Sequence, residues 1–259
     1  MTVFFYLIVA LLGLLIGSFL NVCALRLASG MSIVRPPSHC PQCKTRLGPT
    51  QLIPLISYLM QKGRCKHCGT SISALYPVGE ALTASLFVLM LWQHGLTPEL
   101  AVALLFVSTL VVAFVADSAL GLIPFRFVVP AIALVLGLRV WTDGLDVWQY
   151  AAAAVATYAV FFVIDWSRRK MARDDARAAF GGGDVMLFLF IAAALGLSLT
   201  LLTLFLASLL GLLFALVGFS LSPQDGRGAV RFAPAILPAA IVSYLWGETL
   251  LQWYFATFS

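Results

Sequence analysis

Apolar runs long enough to cross a bilayer, one after another along the chain, restrict this sequence more than anything else in it. They recur near 3–25, 78–94, 99–116, 127–142, 148–166, 185–196, 198–219 and 232–254, about eight in all, the sixth being short. A helix needs about 20 mostly apolar residues to span hydrocarbon, and only helices and closed barrels satisfy their backbone there. The strict alternation of barrel strands is missing, so helices do the spanning. The chain is 61% hydrophobic and 10% charged, with mean hydropathy +0.99, far from a soluble domain. The expected fold is an all-α polytopic membrane protein of about eight transmembrane helices. Residues 1–22 have no basic n-region or clear cleavage site and read as a retained first helix.

Basic residues orient the bundle. With the N-terminus outside, the loops after the first, third, fifth and seventh runs are cytoplasmic, and they or their edges hold 15 of the 16 Lys and Arg. Arg26, Arg35, Lys44, Arg46, Lys62, Arg64 and Lys66 belong to the first of these loops, Arg126 to the second, Arg168, Arg169, Lys170, Arg173 and Arg177 to the third, Arg227 and Arg231 to the fourth. Arg139 alone falls on the other side. The net charge of +5 is thereby a matter of topology and lipid headgroups, and no nucleic-acid partner is expected.

The one sizeable polar segment divides the chain into a first helix (1–25), a loop domain (26–77) and a helical bundle (78–259). Within it Cys40 and Cys43 form one C-x-x-C, and Cys65 and Cys68 another. Two such knuckles about twenty residues apart supply four thiolates for a closed, structural Zn²⁺ site, which can hold a loop too small for its own core. Gly69 suits the tight turn after the second knuckle. A disulfide framework is the weaker reading for a cytoplasmic loop. His39 and His67 adjoin the knuckles and read as bystanders, and Cys23 as a packing residue.

Most of the eleven acids have ordinary explanations. Glu99, Asp143, Asp146 and Glu248 sit on outward edges, where solvation is expected; Asp174 and Asp175 accompany Arg173 and Arg177; Asp165 lies one turn from Arg168 and Arg169. Asp117, in "VVAFVADSALGLIPF", ends the third run, and Asp184, in "GGGD", opens the sixth. The assigned topology puts both at the cytoplasmic edge. Ionisable groups in a membrane face an interior and commonly function. Two neighbouring carboxylates in a low-dielectric site share a proton, one activating water and the other protonating the leaving group, which is the chemistry of aspartyl proteolysis. Gly181 to Gly183 would permit unusual backbone and close approach of a substrate strand, or else serve as a hinge or helix contact.

The run "GSFLNVCALRL" (17–27), the knuckle block ending in "LIPLISYLMQKGRCKHCGTSISALYPVGEALTA" (52–84), Asp117 followed by "LIP", and "GGGD" resemble the type IV prepilin peptidases. These are the leader peptidase and N-methyltransferase enzymes of type IV pili and type II secretion. The resemblance implies an eight-helix intramembrane aspartyl protease of the bacterial inner membrane. Such an enzyme cuts the basic leader of type IV prepilins or pseudopilins on the cytoplasmic side, and many members then methylate the new N-terminal amine with S-adenosylmethionine. By the same resemblance Asp117 and Asp184 match the catalytic aspartates, Cys40, Cys43, Cys65 and Cys68 the zinc ligands, and Glu80 a glutamate associated with methyl transfer. Read without the resemblance, Glu80 is an acid in the first turn of the second spanning helix. The chain departs from the pattern at Gln51 and Leu52, where the family usually has an acid and an asparagine, a difference that bears on methyl transfer. It departs again at Phe125 and Met186, usually an acid and a lysine. The alternatives are a peptidase without methyltransferase activity, or a transporter or scaffold using its acids as a cation site. No internal repeat favours a transporter. Pro234 and Pro238 suggest a bent entry to the last helix.

Overall fold

The computed structural model describes residues 2–171, 181–216 and 232–258. Its helices are α1 (Thr2–Ala28), α2 (Ile56–Met60), α3 (Leu75–His94), α4 (Pro98–Leu120), α5 (Phe125–Asp143), α6 (Val147–Met171), α7 (Gly182–Leu195), α8 (Leu197–Leu216) and α9 (Ala233–Phe258). One long helix answers each apolar run, and only α2 lies in the polar segment. Among the described residues there is no strand, only two isolated bridges within that segment. Among the described residues six apolar helical stretches are long enough to cross a membrane, one of them, Phe125–Ser167, being α5 and most of α6 joined by a 3-10 turn. At 14 residues α7 is shorter, as the sequence indicated. The chain is a multi-pass membrane protein.

Contacts divide it into two compact units, Met1–Leu120 and Gly121–Ser259. In the first, α1 and α3 run against each other through small residues. A methyl group on Gly13 would lie 2.6 Å from Cα of Ala84, and one on Gly17 would lie 2.9 Å from Cβ of Thr83. Lipid gives apolar side chains no reason to leave it, so backbones that approach this closely gain dispersion contacts that bulkier residues would forbid. The opposite side of α1 exposes Leu7, Leu11 and Leu15 at helical spacing, a lipid-facing stripe. Farther along, Asn21 is buried and its Nδ2 donates to the Tyr76 carbonyl at 2.9 Å, pinning the start of α3. α4 is the enclosed helix of this unit, with Phe106, Val111 and Ala113 wholly buried.

In the second unit α7 packs against both α5 and α6, and the rings of Phe161 and Phe188 stand 5.5 Å apart. α8 and α9 pair closely where Gly247 meets Leu199. Pro234 occupies the first turn of α9, where no amide donor is missed, and Pro238 lies within the helix.

Two edge residues differ from the sequence expectation. Arg139 is buried at 6% exposure and does more than mark a membrane side: its guanidinium donates to the Ala194 carbonyl from Nε at 3.0 Å and from Nη2 at 2.6 Å. Asp143 is held rather than simply solvated, because Arg139 Nη1 lies 3.3 Å away and the Thr142 hydroxyl donates to it at 2.6 Å. Asp146 and Glu248 are exposed, as expected. The partners expected for Asp165, Arg168 and Arg169, have side chains outside the described residues. Arg173, Asp174, Asp175, Arg177, Arg227 and Arg231 also lie outside them.

Candidate functional site

The polar segment folds around its cysteines by building the same turn twice. Cys40 donates its amide to the Thr45 carbonyl at 3.0 Å and Lys44 returns one to Cys40 at 2.9 Å; Cys65 donates to Thr70 at 2.8 Å and Gly69 to Cys65 at 2.9 Å. Short antiparallel bridges close each turn, His39 with Arg46 and Arg64 with Ser71. The residue after each second cysteine has a left-handed backbone, φ 59° at Lys44 and 71° at Gly69. Glycine suits that conformation and lysine tolerates it at a cost.

The four sulfur atoms all lie within 4.8 Å of one another, a group that can hold a metal ion. Cys40 Sγ stands 3.8 Å from Cys68 Sγ, and Cys43 Sγ 4.0 Å from Cys65 Sγ, so each close pair joins one knuckle to the other. These separations are far beyond a disulfide bond, and all five cysteines are free. The His39 ring lies 2.9 Å from the Pro37 carbonyl, and neither histidine joins the sulfur group.

Hydroxyls prepare two of the thiols as ligands. Thr70 Oγ1, 3.4 Å from Cys68 Sγ, stabilises the thiolate and with the Thr70 amide pulls Cys68 down to about 6. Thr45, 3.3 Å from Cys43, lowers that thiol in the same way. For Cys40 the amides of Cys43 and Gln42 favour the anion, but burial and the neighbouring thiols of Cys43 and Cys65 outweigh them and raise it.

Glu80 ties this segment to the membrane helices. It is buried in the second turn of α3, since that helix begins at Leu75; the first-turn placement is therefore corrected. Its Oε2 accepts the Leu55 amide at 2.8 Å, and Leu55 has φ 58° just before α2. Gln51 is engaged as well: its Oε1 accepts the Gly48 amide at 2.9 Å. Leu52 beside it is exposed.

Asp117 is buried in the last turn of α4, in the first unit. Asp184 is half-buried in the first turn of α7, in the second, where the helix dipole favours a carboxylate. The three glycines before it have no left-handed backbone, which corrects one expectation, and each meets something different. A methyl group on Gly181 would lie 3.1 Å from Asp184 Oδ2, one on Gly182 at an ordinary 3.5 Å from Phe125, and one on Gly183 only 2.8 Å from Cβ of Ile123. Gly183 thus seats α7 directly on the "LIP" segment that follows α4. Sequence reasoning missed this seat and the Arg139 cap. Glycine spacing gave the only available signal for the first; for the second there was a lone cation in an apolar run.

Residues 11–94 match the model of the bacterial peptidase A24 N-terminal domain, and 104–216 that of the type IV leader peptidase family. A prepilin leader peptidase/N-methyltransferase of Bacillus subtilis is 32% identical over 247 residues, covering 95% of this chain and 96% of its own. The chain belongs to the type IV leader peptidase family. A family member of the same description from Pseudomonas aeruginosa is 30% identical over 96% of this chain and 93% of its own, and one from Myxococcus xanthus is 37% identical over 71% and 54%. No solved structure matches significantly. Within the family models the four cysteines and Glu80 fall in the N-terminal region, Asp117 and Asp184 in the leader peptidase region.

Proposed function

We propose that this family member cleaves the basic leader of type IV prepilins or pseudopilins at the cytoplasmic face of the bacterial inner membrane, with Asp117 and Asp184 as the catalytic pair. The observation that carries this reading is the near full-length similarity to proteins described as prepilin leader peptidases. Asp117, buried in the last turn of one apolar helix, and Asp184, half-buried in the first turn of another, support it. In the proposed reaction one carboxylate takes a proton from water as oxygen attacks the scissile carbonyl, and the other gives its proton to the departing amine. A prepilin suits such a site: its apolar segment lies in the membrane and its basic leader stays in the cytoplasm, the side to which the positive-inside pattern assigns the polar segment of this chain.

We assign the four cysteines to one structural Zn²⁺. Thiolates about 2.3 Å from a tetrahedral ion stand roughly 3.8 Å apart, against 3.8 and 4.0 Å between the close sulfur pairs here. Four protein ligands leave no open position, so the ion would close residues 26–77 as a unit and take no part in cleavage. The description of the relatives as N-methyltransferases supports S-adenosylmethionine as a second substrate, with Glu80 near methyl transfer. Gln51 and Leu52 set this chain apart from the usual pattern and favour a reading in which only cleavage is retained.

Mass spectrometry of a prepilin incubated with the reconstituted protein and S-adenosylmethionine tests the proposal. A shortened product with an added methyl mass supports both activities, a shortened product alone supports cleavage only, and an intact prepilin overturns the assignment.

A further inference from the structure

The segment between α1 and α3 carries an apolar face that its own fold does not cover. Leu52, Ile53, Ile56, Leu59 and Met60 are all exposed, the last two to 72% and 79%. A loop that only wrapped a metal would turn such residues inward or replace them with polar ones.

Two observations say what covers them. The first is depth. α3 has 20 residues, about 30 Å of helix, which is the thickness of the hydrocarbon layer. Glu80 is five residues beyond its start, roughly 8 Å along the axis, and it holds the Leu55 amide at 2.8 Å. The Glu80 side chain reaches back toward the helix start, so immediately before α2 the chain lies beside the first turns of α3, and an amphipathic interfacial helix buries its apolar face about 5–10 Å below the headgroups. The second is charge. From Arg26 to Gly79 the chain has seven Lys and Arg and no Asp or Glu. Lys62, Arg64 and Lys66 follow α2 at once and are exposed. Apolar residues at acyl depth with unopposed cations beside them fit one environment, an anionic leaflet.

We propose that α2 and the residues around it form an interfacial anchor, with Ile56, Leu59 and Met60 in the acyl boundary and Lys62, Arg64 and Lys66 among anionic headgroups. The cysteine clasp is then fixed in height above the membrane through α1, α3 and this third foothold. The inference does not depend on the peptidase reading.

The test uses the full chain in nanodiscs of phosphatidylglycerol mixed with phosphatidylcholine, or of phosphatidylcholine alone, with a fluorescent amino acid replacing Met60. Lipids brominated near the top of the acyl chain are compared with plain lipids, and bound zinc is measured in each preparation to verify that the clasp has formed. The expected result is quenching by brominated lipid in anionic discs. That quench should fall in phosphatidylcholine alone, in high salt, and in the combined Lys62→Gln, Arg64→Gln and Lys66→Gln variant. No quench at position 60 in anionic discs overturns the anchor. A quench indifferent to lipid charge and to the three cations overturns the headgroup contact. Shielding of position 60 by added prepilin, or by a second copy of the chain in cross-linking, without lipid quenching makes the face a protein-binding surface and overturns the proposal.

Discussion

Arg139 closes the C-terminal end of α7 by donating two hydrogen bonds to the carbonyl oxygen of Ala194, while α7's other end presents Asp184. The same guanidinium pairs with Asp143 and lies 4.6 Å over the Tyr150 ring. Replacing it leaves a buried carbonyl and a carboxylate without their cation. Arg139→Ala should therefore destabilise the second unit by about 3 kcal/mol. Arg139→Lys should recover only part of this, since a point charge lacks the planar fork. Thermal unfolding in detergent measures both, and equal stability of the three proteins would contradict the cap.

The glycines before Asp184 should separate by position. Gly183→Ala drives a methyl group onto Ile123 and should cost about 1–3 kcal/mol, with loss of prepilin cleavage. Gly182→Ala meets only an ordinary contact and gains up to about 1 kcal/mol of helix propensity. Cleavage and melting temperature of the two variants side by side check the opposite signs; similar behaviour would count against the seat.

Loss of either proposed catalytic carboxylate should remove the reaction without removing the fold. Asp117→Asn and Asp184→Asn are expected to lower cleavage by about 10²–10⁴-fold or more, with membrane insertion and zinc content unchanged. Processing at the normal rate in either variant would exclude that residue from the dyad.

The clasp should respond to acid in a definite direction. Cys68 is held at about 6, below the usual thiol value, so its thiolate supports the folded segment fully above about pH 9, less as pH falls, and not at all below about pH 6. Protons and metal compete for the same sulfurs, so bound zinc, expected at about one per chain, should be retained at neutral pH and released progressively on acidification. Zinc released per pH step, read with a colorimetric chelator, gives the curve. Thr70→Val should move that release to higher pH.

The paired turns offer a further contrast. Lys44→Gly relieves a left-handed backbone at the position its counterpart fills with glycine, and Gly69→Ala imposes one, at about 1–2 kcal/mol. Chelator concentration at half-release should rise for the first variant and fall for the second.

What the sequence made legible follows from what the environment fixes. Bilayer thickness sets helix length, so each apolar run became a helix with ends shifted by a few residues. Thiolate coordination sets cysteine spacing, so the clasp could be read without coordinates. Arg139 could not, because a cation in an apolar run reads as a topology mark until a distant carbonyl is brought before it. The Leu55 amide at Glu80 was hidden for the same reason, since the residues are far apart in sequence. Gly181 to Gly183 read as backbone freedom and close substrate approach, or else as a hinge or helix contact; the close-contact reading is the one Gly183 meets, against Ile123.

Gly13 against Ala84 and Asn21 against Tyr76 pair α1 and α3 in opposite directions, so the segment between them leaves from one helix and returns to its immediate neighbour, Leu75 starting beside the last turns of α1. The entropy of closing the intervening segment is then met by helix pairing inside the membrane, before any ion arrives. Such a segment behaves as an insert on a prepaid hinge: its length and contents can vary between relatives, or be exchanged by design, while the bundle beneath keeps its shape.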